Sequence, residues 1–126
     1  MKMFIGSLVI FALIIVGGII YKNALDDIVE KSNEIVMQID AAIKAEDFAL
    51  AAMHFSKLDE KWQKQKKLLM AMVDHLHLAS IDICLASLSQ SIYYADAKDA
   101  ADSSAVLKEL FKSINDSEQL LIENVF

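Results

Sequence analysis

The sequence predicts an all-α protein: an N-terminal transmembrane helix that continues into an up-down antiparallel bundle of about four helices. Three observations predict it. All three glycines, Gly6, Gly17 and Gly18, precede residue 19, and the chain has no proline, so the strongest turn residues of a β-protein are missing. The remainder is rich in Ala, Leu, Lys, Glu, Gln and Met, which favour helix. Apolar residues recur there at steps of three and four, the period of a helix face.

The first element begins with MFIGSLVIFALIIVGGIIY, residues 3–21, a run without a charge from Met3 to Tyr21. At 1.5 Å per residue it spans about 28 Å, close to the hydrocarbon thickness of a bilayer. A secretory signal peptide has a shorter apolar region and a small-x-small cleavage site, and here the one tolerable pattern, Val16-x-Gly18, sits inside apolar sequence. The expected domains are therefore an uncleaved signal-anchor, residues 1–22, and a helical bundle, residues 23–126. Lys2 and Lys22 flank the run almost evenly, so the positive-inside bias is small. With two residues ahead of the anchor, the simplest topology is a single pass through the cell membrane with the C-terminal domain extracytoplasmic.

Beyond the anchor, Leu25, Ile28, Ser32, Ile35, Ile39 and Ala42 form a stripe, widened by Val29, Val36 and Ile43. Tyr21 to Asp26 contains no breaker, so this helix runs straight out of the membrane segment. KAEDF then offers a turn, with Asp47 as the N-cap of a second helix. A heptad follows at Phe48, Phe55, Trp62, Leu69 and Leu76, with a second seam at Ala51, Leu58, Gln65 and Met72. The polar Gln65 marks a solvated part of the bundle or a device that fixes register. The next stripe, Leu78, Ile81, Leu85, Leu88, Ile92 and Ala95, is out of phase with that heptad, which predicts a turn or kink near residues 75–80. The last helix starts within DAKDAADSS, where Asp99, Asp102 and Ser103 compete as caps, and carries Leu107, Leu110, Ile114 and Leu121 on one face.

Composition excludes several functions. The chain has 18 acids against 12 basic residues, all lysine, for a net charge of −6. Without arginine it lacks the usual bidentate contacts to bases and phosphates, so no nucleic acid is expected. A phosphate loop needs glycine, and none follows the anchor. Ser87, Ser89 and Ser91 have no histidine within four residues. The one cysteine, Cys84, cannot form an internal disulfide and leaves the compartment open.

The stretch DHLHLASIDIC, residues 74–84, is the one concentration of chemistry-bearing side chains. On a helix, His75 and His77 point about 200° apart and cannot share a metal. Neither Glu-x-x-His nor His-x-x-x-His occurs, so di-iron and zincin spacings are absent. Asp74, His75 and Asp82 stand as weak metal candidates. The better reading has Asp74, His75 and Ser80 satisfying helix ends, with His75 near the C-terminus of the second helix, where positive charge is favourable. No enzyme activity and no cofactor are expected.

The run KWQKQKK places Lys57, Lys61, Lys64, Lys66 and Lys67 at heptad positions c, g, c, e and f, outside the seam, with Glu60 set to pair with Lys64. It reads as a solvated face, or more sharply as a surface for an acidic partner or anionic headgroups. Trp62 reads as a core anchor. The tail LLIENVF, with Asn124, Val125 and Phe126, either closes the bundle or offers a contact surface.

The single N-terminal membrane segment, the helix start at Glu46, Asp47 and Phe48, Trp62, Asp74-His75, Ile81-Asp82 and the terminal ENVF together resemble an uncharacterised bacterial family, domain of unknown function 4363. The resemblance covers nearly the whole chain. It implies a membrane-anchored helical protein of spore-forming and related bacteria, without assigned activity or cofactor, often encoded beside a multi-pass membrane protein. It also implies that Trp62, His75 and Asn124 recur. The expected function is a membrane-anchored, non-enzymatic helical interaction module, an accessory partner of another membrane protein, with the bilayer as one partner and a membrane protein or a second copy as the other. The alternative is an extracytoplasmic ligand- or metal-binding helical sensor.

Overall fold

The computed structural model describes residues 2–71 and 73–125, with side chains described through residue 114. Four helices follow one another: α1 (Lys2–Lys44), α2 (Phe48–Leu69), α3 (His75–Tyr93) and α4 (Ala97–Val125). The all-α expectation holds, and among the described residues there is no strand.

Neighbouring contacts run α1 to α2, α2 to α3, α3 to α4 and α4 back to α1, while the diagonal pairs stay apart at the backbone. Four helices packed in that ring and joined by short connections form an up-down bundle. Its centre is filled across the diagonal instead, where the rings of Trp62 and Phe111 meet edge to face at 5.6 Å and 71°.

Of the stripe expected on α1, Leu25, Val29, Ser32, Val36, Ile39, Ala42 and Ile43 face the core, while Ile28 and Ile35 pack half-buried at its edge. From α2 come Ala51, Leu58, Trp62 and Leu69, and from α3 Leu78, Ile81, Leu85, Leu88 and Ile92. Leu107, Phe111 and Ile114 close the core from α4.

Two of the three joints share one construction. After α1, Glu46 takes a left-handed φ of 58°, its N–H bonds to the Ile43 carbonyl, and the Asp47 N–H reaches back to Ala42. After α3, Ala95 takes φ 54° with the matching bonds to Ile92 and Ser91. This is the Schellman pattern, normally built on glycine. In each case the next residue is an aspartate that caps the following helix: Asp47 accepts from the Leu50 N–H at 3.1 Å, and Asp96 from Asp99 at 3.2 Å.

Several expectations need correcting. The cap of α4 is Asp96; Asp99, Asp102 and Ser103 all lie inside the helix. Ala95 belongs to the joint rather than to the apolar stripe of α3. α2 ends at Leu69 and α3 begins at His75, so the break between them comes before residues 75–80 rather than within them. Leu76, fifth position of the sequence heptad, is therefore in the first turn of a new helix and is 75% exposed. Met72, in the second seam, lies outside the described residues, as does the side chain of Leu121.

The helix α1 does not stop where the apolar run ends. Its most apolar window has a mean hydropathy of 2.8 and is wholly unburied, so that part of α1 lies outside the core of the bundle. Among the described residues it is the one helix long and apolar enough to cross a membrane. Leu25, three residues after Lys22, is already 2% exposed and in the core.

Candidate interaction surfaces

The stretch DHLHLASIDIC folds as a helix start. The Asp74 carboxylate accepts from the Leu76 N–H at 3.0 Å, and the Ser80 hydroxyl bonds back to the Leu76 carbonyl at 2.8 Å. Asp74 thus satisfies a helix end as expected, but His75 is the first residue of α3. It stands at a helix N-terminus, where positive charge is disfavoured, not at the C-terminus of α2. Ser80 lies within α3, bonded to the preceding turn.

Asp82, the third weak metal candidate, is committed elsewhere. One carboxylate oxygen accepts the Trp62 indole N–H at 2.8 Å, and the other pairs with the Lys66 ammonium. Trp62 and Lys66 are one helical turn apart on α2, so a single carboxylate on α3 gathers two successive donors. This pins α2 to α3 at a fixed register. It also corrects the placement of Lys66, which bridges to α3 instead of lying on the outer face. Among the described residues, no group of three or more His, Cys, Asp and Glu side chains converges to hold a metal.

The lysine face keeps the rest of its expected character. Lys57, Lys64 and Lys67 are exposed and Lys61 is half-buried. Lys64 pairs with Glu60 at 3.5 Å, one turn away, a contact of a few tenths of a kcal/mol, about 0.3. Trp62 at 1% exposure is a core anchor, so it serves this surface from beneath. Gln65 is half-buried, with its Oε1 shielded from solvent, which removes the solvated alternative for that position. The side chains of Asn124, Val125 and Phe126 lie outside the described residues.

Two apolar recesses were not foreseen. Between α3 and α4, Ile83, Cys84, Ser87, Ser103, Val106 and Leu110 line a groove of about 440 Å³. At its edge the Cys84 thiol donates to the Ser103 carbonyl at 3.2 Å, and the Ser87 and Ser103 hydroxyls meet at 3.1 Å. Burial raises the Cys84 thiol above its ordinary pKa, keeping it protonated. The second recess, about 270 Å³, lies where the apolar run of α1 meets the end of α2 and is lined by Gly17, Tyr21, Leu25 and Leu69 among others. Helical periodicity shows which residues face inward, but not where two exposed flanks leave a gap between them.

The opposite end of the bundle is acidic. Asp96 and Asp99 are adjacent on the α4 start, and the Asp99 carboxyl is held above its ordinary range, first by a side-chain hydrogen bond with Asp96 and then by its charge.

Compared with known families, residues 19–125 match the one described as Domain of unknown function (DUF4363). The chain belongs to this family. The DUF4363 match takes in the last turn of the apolar run together with the whole bundle, so the resemblance drawn from Trp62, Asp74-His75 and Ile81-Asp82 is shown. In this DUF4363 protein two of those signatures have a physical role: Asp82 holds Trp62, and Asp74 starts α3. No curated protein and no solved structure matches the chain significantly.

Proposed function

We propose that this DUF4363 protein is a membrane-anchored, non-enzymatic interaction module that serves as an accessory of another membrane protein. The observation that carries the reading is the continuity of α1: an exposed apolar run joins the buried core of the bundle without a break. In this reading the run is an uncleaved signal-anchor in the cell membrane, and the bundle stands on the extracytoplasmic face. Lys57, Lys61, Lys64 and Lys67 then form a cationic side wall suited to an acidic patch on the partner. The commitment of Asp74 and Asp82 to structural contacts supports a non-enzymatic role.

The test is purification of the tagged full chain in mild detergent at native expression level, beside the triple variant K57E/K64E/K67E. These side chains are exposed, so the fold should survive, as checked by circular dichroism. A membrane protein that accompanies the wild type and is lost from the variant is the expected result. A wild-type protein that emerges without a partner would remove the accessory reading and turn attention to self-association.

The sensor alternative draws its support from the α3–α4 groove. A ligand seated there would bind only the folded bundle, so it predicts a rise in Tm when ligand is present.

A further inference from the structure

The bundle has one end that does not suit water. Because α2 returns antiparallel to α1, its last turn reaches the apolar run: Leu68 and Leu69 share a recess with Gly17, Ile20 and Tyr21. Gly17 lies four residues to the apolar side of Tyr21, about 6 Å deeper along the helix axis. The same recess extends along α1 through Ala24, Leu25 and Ile28, so the end of α2 stands level with the boundary of the apolar run at Tyr21 and Lys22.

The composition of this end fits that level. Leu68 is 64% exposed, Met70 47% and Leu76 75%, three large apolar side chains within nine positions. Lys67, also exposed, stands beside them. The polar groups of the turn are partly used internally: Asp74 caps α3, and the Val73 N–H bonds to the Leu69 carbonyl. At the far end of the bundle the exposed positions include Glu46, Asp47, Asp96 and Asp99, a charge set that repels anionic lipid. An exposed apolar cluster normally marks a contact, and the level of this one identifies the occupant.

We propose that the α2–α3 turn is a second membrane contact: Leu68, Met70 and Leu76 enter the interfacial layer of the bilayer that α1 crosses, and Lys67 meets the lipid phosphates. Two attachments on different helices hold the bundle against the surface and fix which side of it faces the lipid. The inference rests on the reading that α1 spans a membrane, and the experiment separates the two.

Single cysteines replace Phe11, Met70 or Lys98 in the full chain and are labelled with an environment-sensitive fluorophore. Cys84 is buried and stays in place, with the chain lacking an added cysteine as its background control. The proteins are reconstituted into vesicles of phosphatidylcholine and phosphatidylglycerol, with and without brominated acyl chains. The expected result is strong quenching at position 11, quenching at position 70 several-fold above that at 98, and a reduction at 70 in the L68Q/L76Q background. Quenching at 11 with position 70 as unaffected as 98 would overturn the inference, leave the span standing and free this patch for a protein partner. No quenching at any of the three would overturn the span and the second contact together. Native Trp62 emission in each labelled protein verifies the fold.

Discussion

Replacing Asp82 by alanine should destabilise the bundle more than any other exchange of a partly exposed charge. Trp62 is 1% exposed, and its indole N–H donates to Asp82 at 2.8 Å. A hydrogen bond to a charged acceptor contributes about 1.5–3 kcal/mol, and a buried donor left without a partner costs about 1–3 kcal/mol. The Lys66 pair adds little, because its side chains are 29% and 32% exposed and water screens it to about 0–1 kcal/mol. The loss in D82A is thus about 2–3 kcal/mol, or roughly 10–20 °C in Tm for a domain of this size. D82N keeps an oxygen for the indole and should lose about 1 kcal/mol. Urea unfolding of the full chain in mild detergent, followed by circular dichroism, reads these values. Emission from Trp62, the only tryptophan, gives a second probe. Phenylalanine at position 62 needs no acceptor, so W62F/D82A should cost less than the sum of its single changes by about 1–2 kcal/mol. Strict additivity, or a D82A loss below about 0.5 kcal/mol, would refute the reasoning.

Two further outcomes follow from the backbone and from the thiol. Ala95 holds φ 54°, a region that disfavours any residue with a Cβ, so A95G should stabilise the bundle by about 0.5–1 kcal/mol in the same unfolding assay. A destabilisation of that size would mean the joint relaxes when the Cβ is removed. Cys84 should resist maleimide at neutral pH in the folded protein and react rapidly in urea, as read by mass. Because its folded pKa is raised, its contribution to stability is complete below the ordinary thiol pKa and is lost as the pH rises through the folded value. Stability should therefore fall in mild alkali, and the C84A variant should lack that part of the decline.

The sequence disclosed the helices because burial on one face leaves a periodic trace: Leu25, Ile39, Leu58, Leu85 and Leu107 were all placed by spacing. Asp47 was legible as a cap because it is the aspartate immediately before the apolar pattern resumes. The α4 cap was ambiguous because Asp96, Asp99 and Asp102 repeat at helical spacing, and the choice is made by the left-handed turn at Ala95, which no residue type announces. Leu76 misled because it extends the heptad by coincidence across a chain reversal. Phe111 stands one turn from Leu107 and three residues before Ile114, a signal that could have found it. Lys66 was misplaced because position in a heptad says where a Cα points, whereas a long flexible side chain reaches for a partner on the neighbouring helix. The contact between the apolar run of α1 and the end of α2 depends on the relative lengths of two helices, a property that no local window contains.

The unbroken passage of α1 into the core also has a mechanical consequence. A peptide linker between anchor and domain would let the domain tumble, but a helix locked into packing three residues after Lys22 is a lever. Membrane helices commonly incline by about 20°. Residues 25–44 extend about 30 Å, so a change of that inclination carries the far joint sideways by about 10 Å. In the proposed membrane-spanning reading, the geometry converts the posture of a single helix within lipid into the position of Glu46 and Asp96 well outside it.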